Sequence, residues 1–217
     1  MTKEQKSPSL LPIMLQLNNR KVVVIGGGKI ATRRIMTLLQ LQLTVYVVSP
    51  QVTAEIKRLH EQHKLRWLKK DFTEDDLTDA TVIIAATNCA QVNMQVFHSV
   101  KNNQLVNLVD RPDLSDFHFP AICSRGQLLI SISTSGASPG LAKKIKHDID
   151  NMFPNDYEKY IEFLSSCRNI VQTTNLSIKT RNHILRQLLH PRFEHMGEQE
   201  REQAFNHLLG KESRRQI

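Results

Sequence analysis

At 217 residues, with 40% apolar and 23% charged side chains, the chain has the composition of an ordinary globular protein that can bury one large or two modest cores. Its formal charge of +8 favours acidic partners, but six of the excess lie within residues 1–112, and no block of five or six like charges occurs. With aromatics at 6%, it lacks the basic stripe and interleaved rings of a nucleic-acid binder.

Cys89, Cys123 and Cys167 are widely spaced and odd in number. They argue against a disulfide framework or a structural zinc site and suit a reducing cytoplasm. The apolar stretch "LLPIMLQL" near the start is too short and too Pro-interrupted for a signal peptide or a membrane span. A soluble cytoplasmic protein with no membrane partner is expected.

Val22–Ile25 is a short continuous apolar run, as in a buried parallel strand. Past the glycines, Ala31, Ile35, Leu38 and Leu39 form a helical stripe. Thr44–Val48 reads as a second strand, Glu55–His63 as a helix, and Leu65 and Trp67 mark a third strand. Thr81–Ala86 is a fourth strand, Val92, Val96 and Val100 mark a helix, and Leu105–Val109 is a fifth strand. Strands alternating with helices predict a Rossmann-like, doubly wound parallel α/β sheet over residues 1–112. Residues 113–127 read as loop, Leu128–Ser133 as a weak strand, and Ser138-Pro139 as an N-cap with Pro at N1. From Asp156 onward only helical stripes follow: Tyr157, Tyr160, Ile161 and Leu164, then Ile184, Leu185, Leu188 and Leu189, then Phe205, Leu208 and Leu209. Gly210 is expected to close the last as a C′ residue.

Gly26, Gly28 and Ala31 fit G-x-G-x-x-A between a strand and a helix. In that context the first glycine makes the tight turn, the second admits a pyrophosphate, and the alanine lets helix and strand pack closely. Helix-terminal N–H groups then face the phosphates. An acid usually ends the second strand to hold the ribose, but here Val48-Ser49-Pro50 stands there and the nearest acid is Glu55. Ser49 and Gln51 are the available ribose partners, so NAD and NADP stay open at this point. Ligands of open α/β sheets bind beyond the carboxyl ends of the strands. Thr87-Asn88 follows the fourth strand there and Asp110-Arg111 the fifth. Asp110 is either a loop cap or partner of Arg111, or a carboxylate aimed into the cleft as a general base.

The segments "GGGKIATRR", "AATN…VN", "VNLVDRPDLSDFHFPA" and "RGQLLISISTSGASPGLAKKIK", in this order over about residues 10–150, resemble the siroheme-synthase dehydrogenase family. The resemblance implies oxidation of precorrin-2 to sirohydrochlorin with NAD, with sirohydrochlorin ferrochelatase activity as an alternative. It implies an essential aspartate at Asp110 and cofactor contacts at Gly26, Gly27, Gly28, Lys29, Ile30, Ser49, Pro50, Gln51, Thr87 and Asn88. A standalone member with no methyltransferase region is expected within 217 residues. Residues 113–147 resemble an α+β dimerisation segment, leaving residues 148–217 as a helical domain, so a homodimer is implied. A phosphoserine of one fused member falls on Thr134.

The substrate that the resemblance implies is a polycarboxylate, which a basic rim is expected to help capture. Lys29, Arg33, Arg34, Arg111, Arg125 and Lys143 are the candidates on the chain, and Arg111, His118, Arg125 and Ser135 are the substrate-side candidates of the later loops. No His or Cys pair has metal-ligand spacing, and His60, His63, His183 and His190 read as surface or packing residues. The competing class is a non-enzymatic NAD-sensing module, which would leave Asp110 and the "STSGASPG" loop without a role.

Overall fold

The computed structural model describes residues 10–214. They divide into two units, one of Leu11–Phe119 and one beginning at Pro120. In the first, β1 (Lys21–Ile25), β2 (Val45–Val48), β3 (Arg66–Leu68), β4 (Ala80–Ala85) and β5 (Leu105–Leu108) form a sheet of order β3-β2-β1-β4-β5. Every pairing is parallel, so the expected doubly wound architecture is the one that forms. The helices between them are α1 (Lys29–Gln40), α2 (Ala54–Glu61) and α3 (Ala90–Ser99).

The period-2 alternation of strand side chains sorts the apolar runs onto two faces. Val22 and Val24 meet Ala31, Ile35 and Leu38 of α1 and Ile56 and Leu59 of α2. Val23 and Ile25 meet Val96 of α3 on the opposite face. Each fully buried Val or Ile contributes about 1.5–3 kcal/mol. Strand order reverses between β1 and β4, which makes that crevice the topological switch point where such sheets bind ligands.

β5 is an edge strand, and the following segment covers it. Val106 N–H donates to Asp116 Oδ2 at 2.8 Å and Leu108 N–H to Ser115 Oγ at 2.9 Å, while Asn107 Nδ2 donates to the Phe117 carbonyl at 2.8 Å. The edge amides that would otherwise template aggregation are thereby satisfied.

In the second unit, residues expected as loop contain a strand. β6 (Ala121–Arg125) pairs antiparallel with β7 (Leu128–Ile132) across the two-residue connection Gly126-Gln127, with Gly126 at φ +56°. A positive φ at the first turn position matches the strand twist, so Gly126 marks a hairpin rather than a loop. Helix α4 (Pro139–Met152) is capped as expected: Ser138 Oγ accepts from Leu141 N–H at 3.2 Å. None of its side chains is buried.

The helices α5 (Tyr157–Thr173), α6 (Ile178–Gln187), α7 (Arg192–His195) and α8 (Glu198–Arg214) enclose Tyr160, Cys167, Val171, Ile184, Leu188, Phe193 and Phe205. Burial pushes the Tyr160 phenol and the Cys167 thiol each up to about 12, and Tyr160 donates its hydroxyl to the Leu188 carbonyl at 2.8 Å. Gly210 does not end the last helix, which continues to Arg214. A helical glycine costs only about 1 kcal/mol relative to alanine, and the flanking turns carry the helix through it, with Ser213 Oγ bonding the Leu209 carbonyl at 2.8 Å.

Asp150 ties α4 to the hairpin. Its carboxylate pairs with Lys146 and accepts from Arg125 Nη2 at 3.1 Å. Lys146, then the Cys123 thiol and Arg125, hold its pKa down at about 2. A carboxyl depressed in the folded state stabilises it above the unfolded pKa and ceases to do so as pH falls through the folded one. Stability is therefore expected to drop between about pH 4 and pH 2, and Asp150→Asn to remove that part of the drop in acid-denaturation profiles.

Candidate active site

Four strand ends, those of β1, β2, β4 and β5, build the cleft of the first unit. At the end of β1, Gly26 has φ +115°, and a Cβ there would lie 2.4 Å from the Ala86 carbonyl oxygen beyond β4. A Cβ on Gly27 would lie 2.2 Å from the Gln51 carbonyl oxygen beyond β2. Both glycines thus allow backbone to pack on backbone, and the Gly26 N–H donates to the Val48 carbonyl at 2.9 Å while Thr53 N–H donates to the Gly27 carbonyl at 3.0 Å. Gly28 is different: a Cβ there meets nothing within 4 Å. It is the N-cap of α1, makes no side-chain cap, and no acidic residue occupies the first turn.

The N–H groups of Lys29 and Ile30 therefore begin an uncapped helix at the positive end of its dipole, beside open space. These residues fit a dinucleotide pyrophosphate, which would take the volume a Gly28 side chain would fill. Ala31 is fully buried against the sheet, as the spacing predicts. Lys29 and Ile30 are exposed at the rim.

The β2 end is shaped by Ser49. It is 7% exposed, its hydroxyl donates to the Gln51 carbonyl at 2.7 Å, and its own carbonyl accepts from Trp67 Nε1 at 2.9 Å. Ser49 thus holds the turn, leaving Pro50 and Gln51 exposed at its tip. Glu55 pairs with Arg58 at 2.6 Å on α2.

The β4 end depends on a residue to which sequence reasoning assigned no role. Asn93 of α3 is 1% exposed. Its Oδ1 accepts from Thr87 N–H at 3.2 Å and from Thr87 Oγ1 at 2.7 Å, and its Nδ2 donates to the Thr87 carbonyl at 3.3 Å. Thr87 Oγ1 also accepts from Cys89 N–H at 3.1 Å. This network fixes the turn and leaves Asn88 exposed. The signal was the second asparagine of "AATN…VN", legible as a motif but not as an anchor.

At the β5 end, Asp110 is exposed, and no hydrogen bond or ion pair engages its carboxylate among the described residues. Arg111 makes its hydrogen bonds elsewhere: its Nε and Nη2 bind Asp113 Oδ1 and Oδ2 at 2.9 and 2.7 Å, and Asp110 adds only a weaker charge attraction. The Arg111 carbonyl accepts from Ser115 Oγ at 3.1 Å, so the turn bearing Asp110 is closed by the same serine that caps β5. His118 is half-buried on the return segment between Phe117 and Phe119, whose rings lie 5.5 Å apart.

Arg125 and Ser135 belong to the second unit. Arg125 Nε donates to the Phe153 carbonyl at 2.7 Å in addition to its pairing with Asp150. Ser135 occupies positive φ (+51°) in an exposed turn, its N–H donating to Ser133 Oγ at 3.1 Å, while Thr134 Oγ1 accepts from Ser138 N–H at 3.1 Å. Among the described residues, no group of three or more His, Cys, Asp and Glu is arranged to hold a metal ion, and no helix is long and apolar enough to cross a membrane.

Residues 13–121 match the family described as putative NAD(P)-binding, and residues 157–204 match the SirC C-terminal domain. The precorrin-2 dehydrogenase of Priestia megaterium is 42% identical over 173 residues, 80% of this chain and 85% of that protein. The precorrin-2 dehydrogenase of Bacillus subtilis (strain 168) is 36% identical over 159 residues, 73% of this chain and 98% of its own. The solved structure of SirC, a precorrin-2 dehydrogenase, aligns with a TM-score of 0.77 at 36% identity, covering 94% of this chain and 100% of that one.

The contrast among the three glycines is measurable. Gly27→Ala is expected to cost about 1–3 kcal/mol through overpacking, seen as a lower Tm. Gly28→Ala should fold with a near-normal Tm yet weaken NAD binding ~10-fold or more, the equivalent of about 1.4 kcal/mol, in a fluorescence titration.

Proposed function

Because this chain belongs to the precorrin-2 dehydrogenase family, we propose that it oxidises precorrin-2 to sirohydrochlorin with NAD, as a cytoplasmic enzyme. The single observation that carries the mechanism is the state of Asp110. Among the described residues its carboxylate has no hydrogen bond or ion pair at the carboxyl end of β5, while the adjacent arginine is hydrogen-bonded to Asp113.

The reaction removes one hydride and one proton from the substrate ring system. Bound NAD supplies the hydride acceptor, the chemistry the protein itself lacks. The chain's own task is orientation and proton transfer. The Gly28 cradle and the α1 amides of Lys29 and Ile30 would hold the pyrophosphate, and the Pro50-Gln51 and Thr87-Asn88 turns would offer further contacts to the dinucleotide. Asp110 takes the proton as general base, an effect worth typically ~10²–10⁴-fold. Its turn is held by Ser115, whose bonds to Leu108 N–H and the Arg111 carbonyl limit how far the carboxylate wanders.

The active form is a homodimer built through the second unit. The two-stranded β6–β7 sheet is marginal alone, and α4 buries no side chain. Leu141 is 49% exposed and Met152 68%, so the segment has an apolar face to cover. A second copy supplies that cover by symmetry.

Purified protein incubated anaerobically with precorrin-2 and NAD is expected to yield the sirohydrochlorin absorbance spectrum; folded protein without turnover would favour the sensing module. Asp110→Asn should keep the NAD Kd and lower kcat ~10²–10⁴-fold, and near-normal turnover would remove Asp110 from the mechanism. Analytical ultracentrifugation should give about twice the 24.9 kDa chain mass, and Leu141→Glu should shift the species toward monomer. A wild-type monomer with full activity would refute the dimer.

A further inference from the structure

Six basic side chains lie in stretches that the sequence associates with the site: Lys29, Arg33, Arg34, Arg111, Arg125 and Lys143. The structure separates them. Arg111 is taken by Asp113 and Arg125 by Asp150 and the Phe153 carbonyl. Lys29, Arg33 and Lys143 are exposed, where water solvates them.

Arg34 is the exception. It is half-buried, its Nε is shut off from solvent with no acceptor, and no hydrogen bond or ion pair engages its guanidinium among the described residues. Its head lies over the Phe119 ring, 4.3 Å from the centroid. Burial, and secondarily the neighbouring Arg33 charge, lowers its pKa below the usual guanidinium value. A charge partly withdrawn from water without a counter-charge is costly, and stacking on a ring recovers only about 0.5–2 kcal/mol of that. Stacking also covers a face of the guanidinium. The Nη edge, where a carboxylate docks in the plane with two parallel hydrogen bonds, is left free.

Its position joins it to the site. Arg34 is five residues into α1 from Lys29, about 8 Å along the helix from the glycine turn. Phe119 packs on the same core face as Ala31, Ile35 and Val109. The segment that delivers Phe119 is bonded to β5 through Asn107 Nδ2 and the Phe117 carbonyl, and Asp110 follows β5. Arg34 and Asp110 are therefore held by one continuous packed frame within the first unit.

We propose that Arg34 is a substrate-binding residue of this site: its guanidinium, braced on Phe119, takes a carboxylate of the tetrapyrrole rim and sets the register of the ring against Asp110. The proposal rests on the precorrin-2 reading above and adds which cation selects the polycarboxylate. A neutral or decarboxylated ring would lack the group that Arg34 requires.

The test compares wild type with Arg34→Met and Arg34→Lys in steady-state oxidation of precorrin-2, with NAD Kd and Tm measured alongside. Arg34→Met should raise KM for precorrin-2 ~10–100-fold, the loss expected for a charge-assisted hydrogen-bonded pair, with kcat changed less than ~3-fold. NAD Kd should stay unchanged, and Tm unchanged or higher because an unpaired buried charge is removed. Arg34→Lys, which keeps the charge but loses the planar fork, should recover part of the KM. An unchanged KM in folded Arg34→Met would overturn the proposal. So would a rise in KM matched by equal losses of NAD affinity and Tm, the pattern of a mere brace for the Phe119 segment. Should Arg34→Met not fold, titration of sirohydrochlorin by absorbance against wild type and Arg34→Lys decides: equal affinities overturn the proposal, weaker binding by the lysine variant supports it. No turnover by wild type would overturn the underlying reading, and this one with it, whereas turnover with an Arg34-independent KM would overturn this one alone.

Discussion

The first unit depends on the close approach of three backbones at Gly26 and Gly27. A Cβ at either position would lie within 2.4 Å of a carbonyl oxygen from a neighbouring loop, far inside any tolerable contact. Because those atoms are absent, the turns after β1, β2 and β4 close on one another, and the strand ends converge at the switch point. Gly28, two residues along from Gly26, has the opposite surroundings: open space beside the uncapped N-terminus of α1. Tight backbone packing and open space thus fall on different glycines of one motif. The first two build the cleft, and the third leaves room in it.

The exposed edge of β5 poses a second constraint, met by a return segment that also shapes the site. Ser115 and Asp116 satisfy the outward amides of Leu108 and Val106, which is a requirement of any edge strand. By the same bonds they fix the turn at Asp110, and Arg111 is drawn aside by Asp113. Beyond Asn107, the segment places Phe119 under Arg34. Edge protection, positioning of an unpaired carboxylate and bracing of an unpaired guanidinium come from one stretch of nine residues, Arg111–Phe119.

The second unit contains two segments of different quality. Helices α5 to α8 enclose their own core around Tyr160, Ile184, Phe193 and Phe205. The β6–β7 hairpin with α4 does not: its cohesion rests on Asp150, Arg125, Lys146 and the buried Cys123 rather than on apolar burial. A segment held by polar links and showing its apolar side chains outward is poorly suited to solitary existence.

The sequence by itself determined the sheet, its helices and the glycine motif, because parallel strands buried on both faces read as unbroken apolar runs and helices as 3.6-residue stripes. It also singled out Asp110 and the order of motifs around it. It did not reveal β6, since a short, weakly alternating strand joined by one glycine turn resembles a loop, nor the continuation of the last helix through Gly210, where tertiary packing outweighs a penalty of about 1 kcal/mol. Only the tertiary structure decided that Ser49 and Asn93 hold turns, that Arg111 is hydrogen-bonded to Asp113, and that Arg34, alone of the six basic side chains compared, is half-buried with no hydrogen bond or ion pair among the described residues. Those assignments depend on which groups meet across the fold, and hydrogen-bond partners far apart in sequence leave no periodicity for a chain reading to detect.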